Sequence, residues 1–382
     1  MCGAMSARRR SGFIVLLIAA LFIAAAGYGC SAAREYIYVF SPSGAFIKIA
    51  SDTLSVVAQG DLHSEGITEI DGIIADPERR ELFIETSRAW SASATGPTSG
   101  VAVLRLKMEN QQSALRLFHR IPPPPGKTDL TGAIVIGGPN RMLATSWSED
   151  QAGTNEATFV IRENDEFHEP KTSEDFQIGT GTCASSDGSH LFSFSIAAPT
   201  EIRTLDLRDL SVHKVSLPAD QLKAISPILV ISGGAGCRIL IVGAAPDGSS
   251  DSVPGRIYDL ERQTIVENLE LPKLGQFFLA SSGTLVLVNE RKLVQNLLPT
   301  GQTVGVRYEN TGQLKILDAA TGKRTAELKM PEGGTIAASE DANAYYLSKG
   351  SLSVVDLKSG NVRGTIPVPF TNGFVAFQRE ND

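Results

Sequence analysis

LKILDAATGKRTAELKMPEGGTIAASEDANAYYLSKGSLSVVDLKSGNVRGTIPVPF, from Leu314 to Phe370, is the stretch on which the fold turns. Two short apolar runs, Leu314 to Leu317 and Leu352 to Val355, each end on an aspartate, Asp318 and Asp356. A small turn closing on glycine follows each, at Gly322 and Gly360, and leads into a further strand. Short strands recurring at a period of about 40 residues mark an array that stacks or closes on itself, because one such unit cannot bury its own apolar faces.

The same unit repeats toward the N-terminus. An inner segment of small and aliphatic residues recurs as DGIIADPE (Asp71 to Glu78), GAIVIGGPN (Gly132 to Asn140), GTCASSDG (Gly181 to Gly188), ILVISGGAG (Ile228 to Gly236), QFFLASSG (Gln276 to Gly283) and GTIAASEDA (Gly334 to Ala342). Each is followed by a second strand: ELFIE, MLATS, HLFSF, RILIV, TLVLV and AYYLS. A third strand carries a shared signature in RTLDLRD (Arg203 to Asp209), RIYDLER (Arg256 to Arg262), KILDAATG and SVVDLKSG. Asp206, Asp259, Asp318 and Asp356 stand where that strand ends, and a short acceptor there takes backbone N–H groups of the turn. Equivalent placement in four units makes them turn-formers, not catalysts. A fourth strand, as in LRLFHRI, TIVENLEL or VRGTIPV, closes each unit. Helical periodicity of useful length is lacking. Four antiparallel strands per unit, repeated radially, predict an all-β propeller whose sheets bury their faces against one another.

The two ends of the chain complete the count. EYIYVF (Glu35 to Phe40) has the character of a second strand with no inner segment before it, and NGFVAFQ (Asn372 to Gln378) of an inner segment with nothing after it. Joined, they make a seventh blade shared by both termini, which removes the open edges of an unclosed array. A seven-bladed β-propeller over residues 35–378 is therefore expected. Its inner segments, S-x-D-G-like turns and V-x-D-x-x-T-G-like signatures resemble the YVTN family of propeller repeats, which is also similar to lactonase-type propellers and the quinoprotein amine dehydrogenase β-chain. The resemblance covers nearly all the chain after residue 34. It is best in blades 4, 6 and 7 and poorest in blade 3, whose third strand near Ala157 to Arg162 lacks the aspartate.

Residues 1–33 are of another kind. Arg8, Arg9 and Arg10 precede an apolar run, Phe13 to Ala26, and small residues follow, the order of a secretory signal. Cys30 stands where a bacterial lipoprotein signal places the lipid-bearing cysteine, with Gly29 before it, although Gly27 and Tyr28 fit that pattern poorly. Cleavage near Ala32 or Ala33, or retention as an anchor, are the alternatives. Each places the domain outside the cytoplasm, periplasmic or in the cell envelope, with the membrane met through the N-terminal segment only. Removing residues 1–29, which hold three arginines and no acid, takes the formal charge from −7 to −10. So acidic a domain is a poor partner for phosphate backbones, and no nucleic acid is expected. Cys183 and Cys237 are the pair left within the domain. They are taken as small buried hydrophobes in neighbouring repeats, with a disulfide as the alternative in an oxidising compartment.

Chain direction groups the loops. First-to-second and third-to-fourth turns share one face and are tight; second-to-third loops and blade connectors share the other. That second set includes Ser87 to Gly100, Ser146 to Asn155, Ala244 to Pro254 and Asn289 to Thr311, with the connectors Gly60 to Glu69 and Ile121 to Thr131. Long loops on a rigid scaffold carry binding. The two tryptophans, Trp90 and Trp147, fall in such loops on adjacent blades and are candidate contacts for an envelope protein, a small molecule or a glycan; the plain alternative is that each ring plugs the base of its own loop. His63 and Glu65 lie together in a connector on that face, as a weaker candidate pair. The other histidines are scattered, and Asp247, Ser249 and Asp251 imitate a calcium loop without its glycine or closing glutamate. No phosphate-cradling loop, nucleophile elbow or cysteine–histidine constellation is present, so no catalytic set, metal or cofactor is expected. The sequence points to a binding module. The resemblance implies a competing class, a lactonase-like hydrolase or the non-catalytic subunit of a periplasmic oxidoreductase.

Overall fold

A computed structural model of the chain describes residues 34–380 except 77–78, 87–99, 110–111, 126, 128, 138–141, 149–155, 164, 174, 179–180, 196–197, 217–226, 234–236, 245–250, 281–282, 298–302 and 340–341. Seven antiparallel sheets form a propeller, each counted here from the inner strand outward. The first blade is built from both ends. Its inner strand, Phe374–Glu380, pairs with Arg34–Phe40, setting Phe374 opposite Phe40, Val375 opposite Val39 and Ala376 opposite Tyr38. The ring closes as the two incomplete end segments require.

Blades 2, 4, 5, 6 and 7 each have four consecutive strands. Blade 3, the one whose sequence departs most from the repeat, departs from this. Its third strand, Glu156–Glu163, pairs with two short pieces, Glu166–Phe167 and Lys171–Ser173, in place of one outer strand. The signature aspartates hold their turns: Asp206 Oδ1 accepts the Arg208 N–H, Asp259 Oδ1 that of Arg262 and Asp318 Oδ1 that of Thr321, at 2.8–2.9 Å, and Asp356 Oδ1 that of Ser359 at 2.6 Å.

Each junction between neighbouring blades holds its own apolar cluster, because second and third strands alternate side chains toward the blade before and the blade after. Blades 1 and 2 meet through Tyr38, Phe40, Leu82 and Ile84; blades 7 and 1 meet through Tyr345, Val354, Ile37 and Ile49. A register shift recurs between third and outer strands at one level, at Lys48/Ile49, Val103/Leu104, Ile257/Tyr258, Ile316/Leu317 and Val354/Val355. Bulges of this kind steepen twist, which a radial sheet needs as it fans out from the axis.

Cys183 and Cys237 are joined by a disulfide, with Cα atoms 5.3 Å apart. The expectation of two unbonded thiols is corrected. The hairpin turn before the second strand of blade 5 carries Cys237 with φ of 47°, and this backbone bend presents it to the inner strand of blade 4. Among the described residues no helix is long and apolar enough to cross a membrane; residues 1–33, including Cys30, lie outside the described residues.

Candidate functional site

The long-loop face differs from its sequence expectation in three places. Trp147 is not in a loop: it lies within the second strand of blade 3, Met142–Ser148, opposite Leu130 and Glu156. At 1% exposure it packs with Phe83, Val101 and Ile121 of blade 2 and cannot meet a ligand on the face. Its indole nitrogen has no hydrogen-bond partner among the described residues. Trp90 lies outside the described residues.

His63 and Glu65 share a single 3-10 turn, yet each has its own partner. His63 Nδ1 lies 2.5 Å from Asp61 Oδ1. Glu65 reaches instead to the outer strand of blade 2, accepting from Arg116 Nη1 at 3.1 Å and from the Leu117 N–H at 3.0 Å, while its carbonyl accepts from Arg120 at 2.8 Å. Glu65 thus pins the connector between blades 1 and 2 at the bulge of that strand, and the pair does not converge as a site. Among the described residues no three His, Cys, Asp or Glu side chains gather as metal ligands.

Asn289 to Thr311 is the largest difference. In place of a loop, the second and third strands of blade 6 run on as Leu285–Leu297 and Thr303–Asp318, paired from Arg291 opposite Asn310 to Leu297 opposite Thr303. Seven residue pairs make an arm about 20 Å long beyond the blade. Its root is locked. Asn289 Nδ2 and Asn310 Nδ2 both donate to the Gly334 carbonyl, at 3.1 and 2.7 Å, and Arg291 Nε donates to Asn310 Oδ1 at 3.0 Å. Gly312, with φ of 81°, makes the kink where the arm leaves the sheet; a Cβ there would stand 2.2 Å from the Met330 carbonyl oxygen.

The arm has two unlike faces. Leu293 is paired with Tyr308, and Gln295 with Val306, so these four project together. Leu293, Val306 and Tyr308 are 48%, 57% and 60% exposed. The other face carries charge, with Arg307 2.6 Å from Glu309 and Lys292 3.7 Å from Glu332. The signal was present in Val304-x-Val306-x-Tyr308, whose strict alternation is that of a strand.

A second feature lies in blade 2, between its inner and second strands. Glu85, on the second strand Glu81–Thr86, stands opposite Gly72 of the inner strand Gly72–Asp76. A Cβ at Gly72 would be 2.3 Å from Glu85 Oε2, so the missing side chain is what makes room for the carboxyl. Burial, followed by the nearby Asp71 charge, pushes the Glu85 pKa up to about 7. A carboxyl about half protonated at neutral pH can exchange a proton there as a general acid or base.

Comparison with solved structures agrees with the fold. The chain is similar to AztD from Citrobacter koseri, in its apo structure at a TM-score of 0.53 and 11% identity over 91% of this chain and 98% of that one. A second AztD structure gives 0.52 at the same identity and coverage. A Kuenenia stuttgartiensis hydrazine synthase chain gives 0.49 at 14% identity, over 80% of this chain and 89% of that one. At such identity the likeness shows the propeller alone. No protein-family model matches the chain, and no curated protein matches it in sequence.

Proposed function

We propose that this is an exported binding module, of YVTN-like repeats, that engages an envelope protein through its long-loop face with the blade 6 arm as principal contact. The observation that carries this reading is the apolar stripe Leu293, Val306 and Tyr308, displayed on a ribbon whose root is fixed by Asn289, Arg291 and Asn310. Exposed aromatic and aliphatic side chains on a pre-organised element are what an interface core requires. The Cys183–Cys237 disulfide supports residence in an oxidising compartment, in keeping with the signal-like residues 1–33.

The test is recovery of cross-linked partners from envelope membranes by the tagged full chain and by its Leu293→Ser, Tyr308→Ser variant. Selective loss of a partner from the variant supports the arm. The same partners at the same yield would remove it.

A second reading, a lactonase-like hydrolase, draws on Glu85 with the nearby Asp71 charge in blade 2. It requires lactone-opening activity that Glu85→Gln abolishes. A wild-type chain inert toward a panel of lactones would end it.

A further inference from the structure

The outer strand of a blade has no neighbouring strand on its far side, so its outward N–H and C=O groups are open to another chain unless charge or proline guards them. Most of these edges are guarded by charge of one sign. The outer strand of blade 2, Gln112–Ile121, carries Arg116 and Arg120, that of blade 4, Val212–Ser216, carries Lys214, that of blade 5, Thr264–Pro272, carries Glu267 and Glu270, and that of blade 7, Asn361–Pro367, carries Arg363. The outer strands of blades 3 and 6 hold charges of both signs.

Blade 1 is the exception. Its outer strand, Ser55–Asp61, runs from Ser55 to Gly60 as SVVAQG, six residues without a charge or a proline. One side of the strand pairs with Ala45–Ala50; on the other side no described residue bonds the main chain of Ser55 to Gly60. The register shift at Lys48/Ile49 makes Val57 the extra residue of a bulge, and Val56 and Val57 are 47% and 50% exposed. The same shift recurs in blades 2, 5, 6 and 7, so it does not set this edge apart. The missing charge does.

We propose that the outer edge of blade 1 pairs antiparallel with the same edge of a second copy of this chain, so that two propellers share one eight-stranded sheet about a two-fold axis. A two-fold contact sets a surface against itself, and a strand with charge of one sign then meets its own sign. The outer strands of blades 2, 4, 5 and 7 would repel their copies in this way. Ser55 to Gly60 would not, because only small or uncharged side chains meet there. A foreign strand bearing charge would find nothing on this edge to answer it, so the edge suits a partner as uncharged as itself. The charges at its ends are already engaged: Asp52 lies 3.6 Å from Arg34 Nε, and Asp61 accepts the His63 N–H at 2.6 Å. The proposal is independent of the arm as a binding element, and either can fail without the other. Its consequence is that one particle presents two arms, which raises avidity for a partner held in a membrane.

The experiment is sedimentation equilibrium of the full chain in a nonionic detergent. Each copy has a formal charge of −7, so two copies repel at long range while the edges attract at short range. The expected result is a dimer that tightens as ionic strength rises from about 0.01 M to about 0.15 M, where the Debye length falls from about 30 to about 8 Å. Val56→Lys with Gln59→Lys places charge on the edge at two exposed positions and should raise the dimer dissociation constant about tenfold or more. Mixing that variant with one carrying Val56→Glu and Gln59→Glu should restore the dimer. Circular dichroism reads the folding of each variant, and Gln59→Lys alone serves if the double change does not fold. A monomeric wild type at both ionic strengths overturns the proposal. A dimer that the lysines leave intact places the contact elsewhere, and two folded variants that stay apart on mixing show that this edge does not face its own copy; either result overturns it too.

Discussion

Arg162 of blade 3 donates to the carboxylate of Glu81 in blade 2, and the two are 3% and 0% exposed. Arg105 Nε also donates to Glu81 at 2.8 Å, and Asp165 receives Arg162 Nη2 at 2.6 Å and Arg105 Nη2 at 3.0 Å. Both guanidinium groups stand over the Phe118 ring, at 3.7 Å for Arg105 and 5.2 Å for Arg162. The closing strand joins this junction too, since Gln378 Nε2 donates to the Glu81 carbonyl at 2.6 Å. Removing one member strands a buried guanidinium, so Glu81→Gln is expected to cost about 3–5 kcal/mol in urea unfolding. Glu81→Leu with Arg162→Met should cost clearly less than the single change. Equal losses would mean that the charges are not what holds blades 2 and 3.

Glu85 gives a pH dependence of definite sign. Its folded pKa, about 7, lies above its ordinary 4.5, so ionisation works against the fold. The group's contribution is most favourable below pH 4.5, declines between 4.5 and about 7, and is level above that. Glu85→Gln should gain on the wild type across that window, by at most about 3 kcal/mol. Parallel unfolding midpoints at pH 5 and pH 8 would contradict it. Asp71→Asn should move the decline to lower pH, because it removes a like charge.

The Cys183–Cys237 bond closes a loop of 54 residues. Loop-closure entropy puts its contribution at about 4 kcal/mol. Reduction, or Cys183→Ala with Cys237→Ala, is therefore expected to lower the thermal midpoint, with the loss read by calorimetry with and without reductant. A midpoint indifferent to reductant would show that the blade 4–blade 5 contact is sustained by packing alone.

Trp147 and the arm should respond oppositely to truncation. Trp147→Ala empties the junction of blades 2 and 3 and is expected to cost about 3–5 kcal/mol. Trp147→Phe, which also removes an unpartnered N–H, should cost less than about 1.5 kcal/mol. Leu293→Ser and Tyr308→Ser are expected to stay within about 0.5 kcal/mol of the wild type, since both side chains already face water. Denaturant melts of the four variants check the contrast, and a large loss from either arm change would mean that the arm packs onto the propeller.

Repetition made the blades legible. The aspartates at 206, 259, 318 and 356 recur because each caps the same turn, and all four accept the hydrogen bonds their placement implies. The functional face was less legible because loop length was inferred from the distance between recognised strands. Between Asn289 and Thr311 that distance concealed a pair of strands, although Val304, Val306 and Tyr308 alternate in the sequence. Trp147 was misplaced for a related reason: its strand ends one residue beyond it, and neither ring size nor residue type tells a strand end from a loop start.

By itself the sequence determined the all-β class, the seven blades and the joining of the two chain ends, because each is a property of a repeated local pattern and of its incomplete copies at the termini. Only the tertiary structure decided what meets across blade junctions: Cys183 with Cys237, Glu81 with Arg162, and Trp147 with Phe83. Those contacts join residues whose separation along the chain carries no periodic signal, and they depend on the direction each strand turns its side chains once the sheets fan around the axis.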